Sequence, residues 1–467
     1  MTETTIPESP SGTAKSDAEV EAGQQPDNPD TVKPSSAKKK KKGKGKKHEM
    51  LPALQALEGQ LPWKVFVSQR LGRHGLAKEA LKPGQLLLLE EPVVCIILPP
   101  CVSSVCHHCL EDVNTTAKPL WDEKWLHSVR GACKELHRQL SGKGARGLAD
   151  AQQMLEWAAL IQSNIHGTGT DDTNQDKAIG LYPGLSMLNH SCQPNCTWSP
   201  AGGARIQIRA LTPIASGEQL TVSYTNLMEP RSQRQKDLLK SKHFVCQCLR
   251  CRQPFAESND RLLEGVSCTS ASCPGLLLGT VAGTPEELQG AWRCTECGKE
   301  VPARSPGGTG PLDLHQAALG TWQQISLQSG NHPHAKIRLL WEALLRQFGG
   351  GPGKLNECHV ALFDCLLPLM NCCRATGDDT AAITHLQNVL SIYARVLPIP
   401  IPELGNFTAL LGMMLAERAA KSPPALRSRT RKAVGETLNR AAEIRRICLG
   451  PDHPKTLETE AQAKVCL

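Results

Sequence analysis

Aromatic side chains are scarce in this 467-residue chain, at 4% overall with 8 Trp, 6 Phe and 3 Tyr, so each tyrosine is a candidate for a specific role. Long apolar runs are also missing. The longest, LLLLEEPVVCIILPP from Leu86 to Pro100, is broken by Glu90 and Glu91 and falls short of the roughly 20 residues that a spanning helix needs. No membrane segment is expected. The opening MTETTIPESPSGTAKSDAEV has neither a basic start nor an apolar core, which argues against a secretory signal and for the nucleus, the cytoplasm or both. Disulfides are rare in those compartments, so among the 20 cysteines, most of them clustered, those at short spacing are expected as zinc ligands.

The length suggests two or three domains. The net charge of +8 is modest, and the run KKKKKGKGKK from Lys38 to Lys47 alone carries eight lysines. Residues 1–50 are poor in large apolar groups and are expected to be disordered. Their lysine block reads equally as a nuclear address, a weak nucleic-acid contact or a solubilising tail. From Trp63, short β-rich runs alternate with Gly and Pro. In AQQMLEWAALIQSN, Met154, Leu155, Ala158, Ala159 and Ile161 share a helical face, predicting a helical insertion. ARIQIRAL and QLTVSY return to strand texture, and from Asp313 onward apolar stripes at three and four spacing predict stacked helical hairpins.

NHSCQPNC, from Asn189 to Cys196, is a polar, ligand-rich knot beside the apolar LYPGLSML. Its Cys192 is a candidate fourth ligand for Cys246, Cys248 and Cys251 of CQCLRC, completing a tetrahedral site. Cys268 with Cys273 and Cys294 with Cys297 form two further elbows that read as a zinc ribbon. Neither set leaves an open coordination position, so both zinc sites are expected to be structural.

GRHGLAKEALKPGQLLLLEEP, GLYPGLSMLNHSCQPNC, SGEQLTVSY and FVCQCLRC, in that order, resemble the SET-and-MYND family of protein lysine methyltransferases. The resemblance runs from about Trp63 to Cys251, and AAEIRRICLGPDHPKTLE is similar to that family's helical tail. It implies an α+β multidomain chain with a β-rich split SET fold and a knot-like C-terminal segment. The expected divisions are the SET N-terminal part at 61–100, a degenerate MYND-like segment at 101–140, a helical insertion at 141–180 and the SET C-terminal part at 181–225. A post-SET zinc segment at 226–252, a ribbon-like segment at 253–300 and a TPR-like helical domain at 313–467 follow.

The resemblance also implies S-adenosylmethionine as methyl donor. Asn189 and His190 match its knot-forming segment, with Ser186 and Leu188 just before; Asn164 matches an asparagine of the insertion, Phe244 the aromatic on the adenine, and His74 a turn against the cofactor. Tyr224 matches the catalytic tyrosine, which also borders the cofactor. The implied partner is a lysine-containing protein, with histones among the candidates, bound as an extended peptide.

Two departures stand out. Where the family has an eight-ligand finger, only Cys106, Cys109, His127 and Cys133 remain in order, which predicts a degenerate or absent finger. Lys242 stands four residues before Cys246, where the family often has a second channel tyrosine. A cation there repels a substrate ammonium unless it points outward. The competing expectation is a weak or inactive SET-fold adaptor that recruits partners through its helical tail.

Overall fold

The computed structural model describes residues 59–69, 71–97, 164–168, 178–279, 290–421 and 423–466, with isolated positions at 134, 137, 138, 150 and 152–154. The Lys38–Lys47 block, the four finger residues Cys106, Cys109, His127 and Cys133, and most of the expected helical insertion lie outside these.

The β-rich part opens with a hairpin, β1 (Trp63–Ser68) and β2 (Gly72–Ala77), whose turn uses Gly72 at φ 63. There follow β3 (Leu86–Glu90), β4 (Val94–Ile97), β5 (Ile165–Thr168), β6 (Ala178–Leu181), β7 (Asn189–His190), β8 (Cys196–Pro200), β9 (Ile206–Ala210) and β10 (Thr221–Val222). Strands β3, β9 and β8 form one antiparallel sheet in that order; β4, β6 and β5 form another; β7 pairs in parallel with β10. The close of the expected helical insertion is therefore strand, β5 and β6, in keeping with the β-branched Ile165, Thr168 and Ile179. The core of this part gathers Trp63, Leu87, Tyr182, Leu188, Ile206 and Ile208, all nearly inaccessible. The Trp63 indole donates to the Leu87 carbonyl at 3.1 Å, so its buried N–H is satisfied.

Three helices follow, α1 (Arg231–Lys242), α2 (Leu249–Arg252) and α3 (Arg261–Glu264), and then a four-stranded antiparallel sheet of β11 (Val266–Ser267), β12 (Leu276–Gly279), β13 (Ala291–Cys294) and β14 (Glu300–Pro302). The helical part comprises α4 (Pro311–Gln328), α5 (His334–Phe348), α6 (Val360–Ala375), α7 (Asp379–Val396), α8 (Pro402–Lys421), α9 (Pro424–Cys448) and α10 (Pro454–Cys466). Local signals account for these helices. On α5 the buried Ile337, Trp341, Leu344 and Phe348 make one stripe, and Asp378 caps α7 by accepting from the Ala381 N–H. The four-stranded sheet shares its core with the helices, through Val266, Leu277 and Trp292 against Leu312 and Trp341.

The C-terminal turn of α9 is latched to the β part. Gln207 donates to the Leu449 carbonyl at 2.7 Å. Gly450 has φ 98, and a Cβ there would lie 2.3 Å from the Arg209 guanidinium, so both conformation and space call for glycine.

A buried imidazole pair lies where α4 meets α6. His359 Nδ1 accepts the Ala361 N–H, which leaves its Nε2 to donate to His315 Nδ1 at 3.0 Å. Burial holds His315 down to about 4, and burial with the neighbouring His315 holds His359 well below its ordinary value. An unfolded chain takes up these protons near pH 6.5. Below that value the unfolded state binds more protons, so stability is full above about pH 6.5 and is lost as pH falls towards 4. Thermal unfolding at pH 7 and pH 5 should differ by several degrees, lower at pH 5; equal midpoints would contradict the neutral pair.

Candidate active site

The site is built around the segment Leu185–His190. Glu90, at the end of β3, accepts from the N–H groups of Gly184 at 2.6 Å and Leu185 at 3.1 Å, anchoring the start of the segment. Burial raises the Glu90 pKa against these two donors. Gly184 has no room for a side chain, since a Cβ would lie 2.4 Å from Leu88. Ser186 donates to the Tyr182 carbonyl at 2.7 Å and reaches the Asn164 carbonyl at 3.5 Å, which brings the expected insertion residue to the segment.

The hairpin packs against the same segment. A Cβ on Gly75 would be 2.8 Å from Leu188, so close approach requires glycine there, and Asn189 Nδ2 donates to the Leu71 carbonyl at 3.1 Å. His74 is buried and tied to its own turn, its Nδ1 3.1 Å from the Gly72 carbonyl and its ring 6.3 Å from Phe66. Gly75, one residue on, is what meets Leu188.

Tyr224, two residues past β10, closes the arrangement: its hydroxyl donates to the Leu188 carbonyl at 2.5 Å. Burial pushes its pKa up to about 12, so it is a neutral donor at physiological pH. Its backbone N–H donates to His190 Nδ1 at 3.0 Å. An N–H can only donate, so His190 carries its proton on Nε2 and directs it at the Cys192 sulfur 3.2 Å away. The His190 ring lies 5.4 Å from Tyr224 and 6.1 Å from Phe244.

Tyr224 also borders a cleft of about 690 Å³ to which the β part contributes His166 and Trp198, the end of α1 contributes Lys242, and the helical part contributes Tyr393 and Glu403. Lys242 points inward, its Nζ 5.4 Å from the centre of the Tyr224 ring. Burial lowers the Lys242 pKa; burial, then the Lys242 charge, holds His166 to about 4.

The cysteines come together in two groups of four, with all sulfurs of a group within 4.8 Å of one another: Cys192, Cys246, Cys248 and Cys251, and separately Cys268, Cys273, Cys294 and Cys297. Contacts of 3.5 Å for Cys192–Cys251, 3.7 Å for Cys268–Cys297 and 3.6 Å for Cys273–Cys294 are far too long for disulfides. They are close to the roughly 3.8 Å edge of a sulfur tetrahedron around zinc at about 2.3 Å. Both donor sets thus fit structural zinc.

The first cluster has electrostatic support that the spacing of its ligands does not reveal. Asp260 is fully buried and bonded by Arg234 at 2.8 Å, Arg250 at 2.7 Å and Arg231 at 3.0 Å. Burial works to raise its carboxyl, but Arg250 and Arg234 outweigh that and hold it below the usual range. Arg234 Nε lies 3.3 Å from the Cys192 sulfur, and Arg250 donates to the Cys192 carbonyl at 3.0 Å. Four thiolates on one zinc would leave two surplus negative charges; three arginines on one aspartate leave two surplus positive ones, which would make the loaded assembly neutral.

The family model for the SET domain matches residues 72–225, the span that carries the hairpin, the Leu185–His190 segment and Tyr224. The chain carries a SET domain. The chain is 34% identical over 122 residues to the SET domain-containing protein SmydA-8 of Drosophila melanogaster, covering 26% of each chain. It is 40% identical over 78 residues to the histone-lysine N-methyltransferase SMYD3 of Mus musculus, covering 17% of this chain and 18% of that one. With the histone-lysine N-methyltransferase ASHR1 of Arabidopsis thaliana it shares 31% identity over 151 residues, 32% and 30% of the two chains. The chain thus spans about a fifth to a third of the length of these relatives. A solved array of TPR-like repeats from Podosopora anserina overlays at a TM-score of 0.18 and 15% identity, covering 32% of this chain and 87% of that one; such a score does not assign the helical fold.

Of the residues expected at the SET site, the structure brings Asn164, Ser186, Leu188, Asn189, His190, Tyr224 and Phe244 into one neighbourhood by the contacts above. Glu90, His166, Trp198 and the Asp260 arginine cluster are site residues that sequence reasoning missed. Glu90 interrupts the longest apolar run, and a carboxylate inside such a run is the signal that could have found it.

Proposed function

We propose that the protein is an S-adenosylmethionine-dependent protein lysine N-methyltransferase acting on a histone or non-histone protein. The observation that carries this is the Tyr224 hydroxyl bonded to the Leu188 carbonyl at the wall of a cleft. With its proton given to the Leu188 carbonyl, the phenol oxygen and that carbonyl both accept N–H groups of an incoming amine, which leaves the amine lone pair free and oriented. When bound, S-adenosylmethionine supplies an electrophilic methyl group on a sulfonium.

Asn189, His190, Phe244, Asn164 and Ser186 would hold that donor, with Leu188 and the His74–Gly75 turn lining it. Phe244 offers a π-face to a cationic or adenine group. Tyr224 orients the acceptor, and the cleft strips it of water, which favours the neutral amine over the ammonium. The knot-like course of the segment around β7 and β10 belongs to this reading. So do structural zinc in both cysteine clusters, an extended peptide as substrate and a nuclear or cytoplasmic location. Nucleic-acid contact through Lys38–Lys47 would be accessory and steeply salt-dependent.

Calorimetric titration of the zinc-loaded protein with S-adenosylmethionine tests this reading against the inactive adaptor. Micromolar binding, weakened about tenfold or about 1.4 kcal/mol by Asn189→Ala, is expected. A folded sample that does not bind the donor leaves the adaptor.

A further inference from the structure

Among the described residues, one lysine lines the cleft beside Tyr224. Helix α1 ends at Lys242, and the next residue, His243, closes it with φ 58 and ψ 32, the one non-glycine residue at positive φ among those described. That conformation is a left-handed helix cap, closed by the His243 N–H donating to the Leu239 carbonyl at 3.2 Å. Its effect is to separate the side chains on either side. Lys242 enters the cleft and stands over the Tyr224 ring at 5.4 Å, while Phe244 packs towards His190 at 6.1 Å. Lys236 and Lys240 of the same helix stay exposed.

We propose that Lys242 is itself a methyl acceptor, modified in cis at the SET site, an inference that rests on the methyltransferase reading above. Its stem begins two residues from the aromatic that would flank the donor, and its amine stands 5.4 Å from the ring centre of the tyrosine that would orient an acceptor, in the same cleft. Burial in the cleft also favours the neutral amine that the reaction needs. In the transfer the Lys242 nitrogen lone pair forms the N–C bond as the S–C bond breaks. The sulfur departs with that electron pair as S-adenosylhomocysteine, and the proton displaced from nitrogen passes to water. Tethering makes the amine effectively concentrated at the site without any binding step. A methylated ammonium remains a cation suited to an aromatic face, so the product would stay over Tyr224 and add bulk to the wall of the cleft.

The test uses the full, zinc-loaded chain with S-adenosylmethionine carrying a trideuterated methyl group, followed by peptide mass mapping, with a demethylated cell extract in parallel. The expected result is label on Lys242 and not on Lys236 or Lys240, at a rate per molecule independent of protein concentration, lost in Tyr224→Phe and in Lys242→Arg. A readout independent of the donor comes from reductive ¹³C-methylation with formaldehyde: the Lys242 methyl signal should be displaced from those of Lys236 and Lys240 by the Tyr224 ring current, and return towards them in Tyr224→Leu. Label on extract proteins but none on Lys242 overturns the inference and leaves the methyltransferase reading standing. Labelling of Lys242 that rises with protein concentration overturns transfer in cis. No label on any protein overturns both.

Discussion

Tyr224→Phe should lower methyl transfer by about 10²–10³-fold, the usual loss when one preorganised hydrogen-bonding group is removed from a reacting centre. Affinity for S-adenosylmethionine should change by no more than a few-fold, because the ring and the backbone N–H that bonds His190 are both retained. The hydroxyl has a second duty as the donor to the buried Leu188 carbonyl. Its loss leaves that acceptor unpaired, at a cost of about 1–3 kcal/mol, so a lower thermal midpoint should accompany the loss of turnover. Single-turnover transfer beside calorimetric donor binding separates the two effects. Loss of donor binding with no further loss in the chemical step would make Tyr224 a wall of the donor site and remove it from the role assigned.

Cys192→Ser has the largest expected effect on stability. It should release about one zinc per chain and strand the three buried arginines around Asp260 without the charge they balance. Breaking a buried ionic assembly costs about 3–5 kcal/mol, which for a domain of this size lowers the midpoint by roughly 10 °C. Donor affinity should fall with it, because the Cys192 sulfur receives the His190 proton and His190 in turn holds the Tyr224 backbone. Cys268→Ser makes the contrast. It too should release about one zinc, but Cys268 and Cys294 are packed with the helical core through Trp292 and Leu312, so stability falls while donor affinity stays within about twofold. Metal analysis with donor titration on both variants decides; equal loss of donor affinity would mean that the two cysteine clusters act as one unit.

Much of this was readable in the sequence because it is local. QLLLLE and ARIQIRAL announced β3 and β9 by their branched and leucine runs, and FTALLGMMLAERAA announced α8 by its stripe. The cysteine elbows name their own partners by spacing, and three close thiolates call for a fourth, which Cys192 supplies. What was not readable depends on contacts between distant segments. Glu90 bonds residues 94 and 95 positions away, and the Gln207–Leu449 bond spans 242; neither leaves a periodic trace. Asp260 is an ordinary acidic residue in SNDRLLE until folding surrounds it with Arg231, Arg234 and Arg250. Lys242 is legible as a departure, but that its side chain lies over the Tyr224 ring depends on a contact between separate segments, which leaves no local trace.

The central claim is methyl transfer to lysine at Tyr224. The most direct measurement is incorporation of labelled methyl groups from S-adenosylmethionine into histones and a demethylated cell extract by the zinc-loaded chain, with the product located by mass mapping. Label on lysine side chains that falls by about 10²–10³-fold in Tyr224→Phe is the predicted result. A folded chain that binds the donor and transfers nothing to any lysine, in the extract or on itself, would contradict it.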